Sequence, residues 1–395
     1  MGKNGFFVVL CVMGLFAILS STMSKNPVLP LLADSLGVPE YLMGFVAAAS
    51  TVPGIFVSLP AGSVSDVFGR KRVLILSAFI FASAPFLYIF VASSWQLVLV
   101  RFYHGLATAV FVPVASAAIV ERSPEGKGEQ VSAFSSVTMI GRSAAPFLGG
   151  YILSVTGSSY SSVYVSVGVA GVTALLAGFA LREHRITETK TIESRSEWKV
   201  FSHLFRGWIE VATNKGIVAT SLVEAAMYFS FGAFEFFLAL YAKSLGLDDF
   251  LIGIIMGGQL VTVMVTKPFM GRLSDKYGRR MPILVGLAIG SLPLVATPFA
   301  DQFFELVAIS ITYGLSLSIV TSSTTALVSD LTSKELYGAS IGFLSTVMDI
   351  GQALGPIITG LILATTAGYF GVFLTLAGIL LVFDSIFYVF TRAKT

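Results

Sequence analysis

Beyond residue 40, seven stretches of at least 19 residues contain no Asp, Glu, Lys or Arg, and they decide where the chain can fold. They are Tyr41–Ser65, Val73–Val100, Phe102–Val120, Ser143–Leu181, Met281–Ala300, Leu306–Ser329 and Ile350–Phe383, and they run from 19 to 39 residues. A helix needs about 20 apolar residues to cross the hydrocarbon of a bilayer. Several of these stretches hold one span. Ser143–Leu181 and Ile350–Phe383 hold most of two, each broken at a turn rich in Gly or Ser. With 55% of its 395 residues hydrophobic and only 12% charged, the chain cannot hide its apolar surface in a water-soluble core, so lipid is its solvent. Polar and apolar residues do not alternate with period two, which favours helices over a barrel.

The opening run MGKNGFFVVLCVMGLFAILSS imitates a secretory signal. No small-x-small cleavage site follows and the apolar run continues to Ala33, so the segment reads as an uncleaved first helix. Phe6 stands where a myristoylation signal needs Ser or Thr. The single cysteine, Cys11, excludes an internal disulfide and a cluster of thiolate ligands.

The expected fold is all-α, with twelve transmembrane helices near 6–32, 41–63, 73–92, 95–120, 131–154, 161–181, 215–243, 250–271, 282–300, 303–329, 338–364 and 367–390. With the N-terminus in the cytoplasm, 20 of the 25 Lys and Arg fall on the cytoplasmic side and Lys243 alone on the other. Lys25, Arg101, Arg142 and Lys267 fall within helices. That bias orients both termini inward. Arg182–Lys215 is the one long polar segment, with 7 basic and 5 acidic residues. It divides the chain into an N-terminal bundle (1–182), a linker (183–214) and a C-terminal bundle (215–395). In the linker Trp198, Phe201, Leu204, Phe205, Trp208 and Ile209 recur at helical spacing among Lys199, His203 and Arg206, as in an amphipathic helix on the membrane surface.

The halves repeat each other. GSVSDVFGRKRVL at 62–74 returns as GRLSDKYGRRMPI at 271–283, an offset of 209. The same offset relates Leu36-Gly37 to Leu245-Gly246, Gly44 to Gly253 and Gly105-Leu106 to Gly314-Leu315, and an offset of 210 relates Gly141 and Pro146 to Gly351 and Pro356. Two halves of six helices with equal parity are parallel repeats about an axis along the membrane normal. In each loop the glycines (Gly62 and Gly69; Gly271 and Gly278) let the backbone turn tightly and helices approach. Asp66 and Asp275 reach the cytoplasmic end of a helix, where a carboxylate can accept from a helix N-terminus or pair with an Arg. Arg70, Lys71, Arg72, Arg279 and Arg280 anchor the same side.

With this GxxxDxxGR[KR] signature in both halves, the chain resembles the major facilitator superfamily over essentially its whole length. The resemblance implies that the loop is a cytoplasmic latch holding one conformation of an alternating cycle, a role carried to Asp66 and Asp275. A second signature, LxxxRxxQGxxxA in helix four, reads here Leu97, Arg101, His104, Gly105 and Ala109, with His in place of Gln. In proton-coupled members this Arg tunes a nearby acid. The copy in helix ten has Ser310 instead. His104 is either a proton carrier or a neutral hydrogen-bonding stand-in for Gln. Helix five carries Gly141, Ala145, Pro146, Gly149 and Gly150, which resembles the GxxxGPxxGG signature of drug:proton antiporters with one Gly-to-Ala change. Helix eleven echoes it in Gly351, Gly355, Pro356 and Gly360.

Charges inside spans are costly and mark candidate sites. Lys267 and Asp384 lie near span ends and are expected to lean toward the surface. Glu235 pairs at the 209 offset with Asn26, beside Lys25, so an ion pair between Lys25 and Glu235 is expected across the halves. Glu224, three turns earlier, is expected on the same face as Glu235, as in a proton relay. Arg142 and Asp349 occupy similar depths in helices five and eleven, and the sequence leaves open whether they touch. Aromatic residues around Glu235 suit a hydrophobic substrate.

The expected activity is proton-coupled export of amphipathic organic compounds from a cell inner membrane by a functional monomer, with protons, a small organic solute and lipid as its partners. A facilitator of a specific organic anion, sugar or metabolite, in either direction, is the rival reading, and a non-transporting sensor the remote one. Enzymatic chemistry is disfavoured because His104, His184 and His203 form no metal-spaced pair and no nucleophile–base motif stands out. Without GxxxxGK[ST], ATP is not the direct energy source. No cofactor and no nucleic acid is expected.

Overall fold

A computed structural model describes residues 3–122, 127–181, 207–333 and 336–392. All regular structure among them is helical. The first half holds α1 (Lys3–Met23), α2 (Val28–Ser35), α3 (Glu40–Ala48), α4 (Val52–Phe68), α5 (Arg70–Tyr88), α6 (Ser94–Arg122), α7 (Lys127–Val155) and α8 (Tyr160–Ala180). A short helix, α9, covers 207–213. There follow α10 (Lys215–Ser244), α11 (Asp249–Tyr277), α12 (Arg280–Ala296), α13 (Phe303–Asp330), α14 (Tyr337–Leu363) and α15 (Gly368–Arg392).

Two of the expected helices are interrupted. The first span is α1 plus α2, parted at 24–27, and the second is α3 plus α4, parted at 49–51. A proline stands at each break. Pro27 and Pro53 have no N–H to return to the carbonyls of Met23 and Ala49, so the ladder opens there. Eleven stretches among the described residues are long and apolar enough to cross a membrane. The fifth expected span, α7, has the length but not the apolarity, being diluted by Ser132, Ser135, Ser136, Thr138, Arg142 and Ser143. Two helices, α1 and α11, pack along its sides. The linker expectation falls mostly outside the described residues. Of its apolar residues, Trp208 in α9 meets the Phe343 ring edge-on at 5.8 Å, while Ile209 is exposed.

Successive spans cross in opposite directions, so one membrane face carries the Arg70 and Arg279 loops; we call it the basic face. On the opposite, far face, two close helix crossings join the first half of the chain to the second. At one, Gly44 of α3 lies against the backbone of Pro356 and Ile357, and Gly360 lies against the backbone of Gly44. At the other, a methyl built on Gly253 of α11 would stand 2.6 Å from the carbonyl oxygen of Pro146, and one on Gly150 2.6 Å from that of Asp249. Only glycine allows backbones this close. Polar contacts reinforce the far face: Lys243 Nζ reaches Asp249 Oδ1 at 2.7 Å, Ser158 Oγ donates to Asp249 Oδ2 at 2.6 Å and Ser154 Oγ to Asp248 Oδ2 at 3.2 Å.

The helix-five residues divide between two neighbours. Gly141 lies on the Leu15 carbonyl of α1 and Gly149 on Val28, whereas Pro146 and Gly150 face α11, with Ala145 fully buried among them. In α14, Gly351 and Gly355 lie on the backbone of Ala225 and Phe229 in α10.

Candidate functional site

Between these crossings and the basic face runs a cavity of about 530 Å³. Its wall takes residues from α1, α4, α6, α7, α10, α11, α13 and α14 and from the two interrupted segments. Toward the basic face it includes Ser58, Lys267 and Ile341, the last within about 6 Å of the start of α14 at the helical rise per residue. Its deep end holds Lys25, Asn26 and Glu235.

The break between α1 and α2 puts Lys25 and Asn26 on this wall, with their backbone N–H groups bonded back to Thr22. Irregular backbone is tolerated inside a bilayer where it lines a cavity. Lys25 Nζ contacts Glu235 Oε2 at 2.6 Å, and Asn26 Nδ2 donates to the other oxygen, Oε1. Glu235 is only 4% exposed. The ion pair expected from the 209 offset is therefore present, with Asn26 as an added donor.

Glu224 departs from expectation. It is buried, accepts a hydrogen bond from Thr324 of α13 and lies within electrostatic reach of Lys267, but it is not on the cavity wall. Eleven residues bring two side chains to one side of a helix, yet here the neighbouring helix at that level is α13 rather than open space. Tyr228 and Phe231 occupy the wall between them. Lys267, expected to lean toward the surface, is exposed and lies on the wall toward the basic face.

Arg101 is 2% exposed. Gly105, one turn further, lets α6 close onto the backbone of Ser50 at the α3/α4 break, and Arg101 Nη2 donates to Ser50 Oγ. His104 places Nδ1 3.4 Å from Ser24 Oγ and meets the rings of Phe81 at 5.7 Å and Tyr88 at 6.1 Å. In the other half, Ser310 Oγ donates to the Ile255 carbonyl at 2.6 Å. Arg142 and Asp349 both line the cavity, but no ion pair joins them among the described residues.

At the basic face, Gly69 and Gly278 turn with φ of 89° and 80°, in the left-handed region that glycine alone adopts freely. Asp66 pairs with Arg70 one helical turn on, and Arg70 Nε reaches Glu121 Oε2 of α6 at 3.2 Å. Asp275 pairs with Arg279, and Arg279 Nε reaches Asp330 Oδ2 of α13 at 2.9 Å. Hydrogen bonds donated to Asp330 and then to Asp275 hold the Arg279 guanidinium above its ordinary range. Gly271 sits in open space and Gly62 within α4. Lys71 is part-buried, with Arg70 supplying the pairing. Arg280 belongs elsewhere: it stacks over the Tyr388 ring of α15 at 5.5 Å and donates to its carbonyl at 3.3 Å. Glu121 and Asp330 were missed by sequence reasoning, although the offset of 209 relates them too.

The sequence model of the Major Facilitator Superfamily matches residues 10–223 and again 220–395. The chain belongs to the major facilitator superfamily. As a member of that superfamily it is a multi-pass membrane transporter. Among relatives, it is 25% identical to a multi-drug resistance efflux pump PmrA homolog of Lactococcus lactis, over 90% of this chain and 87% of that one. It is also 25% identical to the multidrug resistance protein MdtG of Klebsiella pneumoniae, over 91% and 87%. In fold it matches the crystal structure of the nucleoside transporter NupG, with a TM-score of 0.79 at 17% identity, covering 98% of this chain and 99% of that one. The major facilitator fold thus accounts for the cavity, the paired loops and the glycine crossings together.

Proposed function

We propose that this chain is a proton-coupled antiporter that exports amphipathic organic compounds across a cell inner membrane, with Glu235 as the proton carrier. The observation that carries this reading is the Lys25–Glu235–Asn26 set at the deep end of the cavity. Ionised Glu235 ties α10 of the second half to the α1/α2 break of the first. Protonation removes the charge that Lys25 neutralises and loosens that tie, so proton binding and substrate binding bias the same rearrangement. Two six-helix bundles, 1–182 and 215–395, rock against each other, and both termini lie in the cytoplasm, where the basic face is. The cavity then opens inward, and the Asp66–Arg70–Glu121 and Asp275–Arg279–Asp330 sets act as latches. Likeness to multidrug efflux proteins at 24–25% identity supports the direction and the solute type.

The test uses purified protein in liposomes with an imposed proton gradient and a pH-sensitive dye inside. Addition of a panel of lipophilic cations, organic anions and sugars is expected to evoke proton flux for some members, and Glu235→Gln to abolish it. Flux of equal size in the variant removes Glu235 from the mechanism.

A further inference from the structure

The cavity wall carries four basic side chains, Lys25, Arg101, Arg142 and Lys267, against two carboxylates, Glu235 and Asp349. Lys25 and Glu235 neutralise each other. What remains is an excess of positive charge around one space: Arg142 and Lys267 are exposed to it, and Arg101 is 2% exposed, where an uncompensated charge is costly. Counting buried Glu224, which lies behind Lys267, does not erase the excess.

The cations are not matched to acids. Among the described residues Arg101 has no carboxylate within 4 Å; its hydrogen bond goes to the neutral Ser50 hydroxyl, and its buried Nε has no partner. His104 Nε2, buried on the same wall, is likewise unpaired. Arg142 joins no ion pair. It lies instead within electrostatic reach of Lys267, a like charge on the neighbouring helix α11. Two cations facing one space, with spare donors beside them, form a receptor for an anion. Phe231, Met139, Leu260 and Leu317 supply apolar wall around it.

We propose that the transported compound carries an acidic group, a carboxylate, phosphonate or sulfonate on an apolar body, bound through Arg101, Arg142 and Lys267. This rests on the transport reading above and narrows its substrate class. Lipophilic cations, in contrast, meet a wall of their own sign. The anion also separates Arg142 from Lys267 electrostatically, so its departure restores their repulsion and favours reloading.

Three dansyl probes of one aromatic body test this: dansylglycine, its neutral amide, and a dansylamidoethyl-trimethylammonium cation. Fluorescence enhancement on binding to the purified full-length protein gives Kd for each. Charge-assisted bonds to Arg predict that dansylglycine binds at least about tenfold tighter than the amide, with the cation weakest. Arg101→Gln and Arg142→Gln are expected to cut the acid's advantage below about threefold, whereas Arg142→Lys keeps part of it because the charge survives without the planar fork. Monodisperse elution checks that each variant is folded, and the wild-type ranking alone tests the idea if none is. Binding of the cation or amide as tight as the acid in wild type overturns the proposal, as does an undiminished acid preference in the folded Arg101→Gln/Arg142→Gln double variant. In liposomes the two readings separate: acid preference without proton flux strikes only the coupling, and proton flux evoked by cations alone strikes only the anion.

Discussion

Arg70 and Arg279, 209 residues apart, are held in the same way, each by the aspartate one turn before it and by an acid at the far end of another helix. Glu121 lies in the last turn of α6 and Asp330 ends α13, so the repeat extends beyond the loop motif to the helices that receive it. Both sets are partly exposed, with the arginine side chains 22% and 20% accessible. A double-mutant cycle of Arg279→Gln and Asp330→Asn is expected to give a coupling of only about 0.2–1 kcal/mol in thermal or denaturant unfolding. A coupling well above that range would make the set a structural tie rather than a device that opens in each cycle.

The deep ion pair behaves otherwise. Glu235→Gln leaves Lys25 without its counter-charge, and removing one partner of a buried pair costs roughly 3–5 kcal/mol. Lys25→Met/Glu235→Gln together are expected to recover most of that loss. Unfolding in detergent measures it, and a double variant no more stable than the single one would show that the pair contributes nothing.

Glu224 and Thr324 offer a separate test. Thr324→Val leaves a buried carboxylate short of a donor, at a cost of about 1–3 kcal/mol. Because Glu224 is off the cavity wall, dansylglycine affinity should stay within about twofold of wild type. Loss of binding without loss of stability would put Glu224 in the transport path after all.

Glycine substitutions probe the crossings. A methyl on Gly44 collides with the Pro356 carbonyl, and overpacking of this kind costs typically about 1–3 kcal/mol. Gly253→Ala, at the second crossing, should behave alike. Gly378 in α15 has nothing within 4 Å of such a methyl, so Gly378→Ala should be neutral or stabilising by up to about 1 kcal/mol. Equal effects at all three positions would mean that backbone contact at the crossings is not what requires glycine.

Much of this was legible from residues alone, and the reasons differ by feature. The Lys25–Glu235 contact followed from the offset, since equivalent helices place equivalent positions at equal depth. Gly69 and Gly278 announced their turns because no other residue adopts that backbone cheaply. The helix breaks were harder. Pro85, Pro113, Pro146, Pro268, Pro293 and Pro356 all stay within continuous helices, so proline by itself does not say which ladder opens. Among the described residues, Pro27 and Pro53 are the prolines that stand at breaks inside a span, next to Asn26 and near Ser50 on the cavity wall. The direction Glu224 faces was set by helical period, but what stood opposite was a matter of how α13 docks. Depth along a helix is written in sequence, and the identity of the neighbour is not.

The two far-face crossings consist of main chain lying on main chain, Gly44 on Pro356 and Gly253 on Pro146. Such a contact has no rotamers to reset when it parts and none to find when it closes. Its grip comes from many weak Cα–H···O and van der Waals terms, each of which fades over a fraction of an ångström. It can therefore come undone and re-form many times without the combinatorial search that interlocked side chains would impose, like two smooth rails rather than two gears.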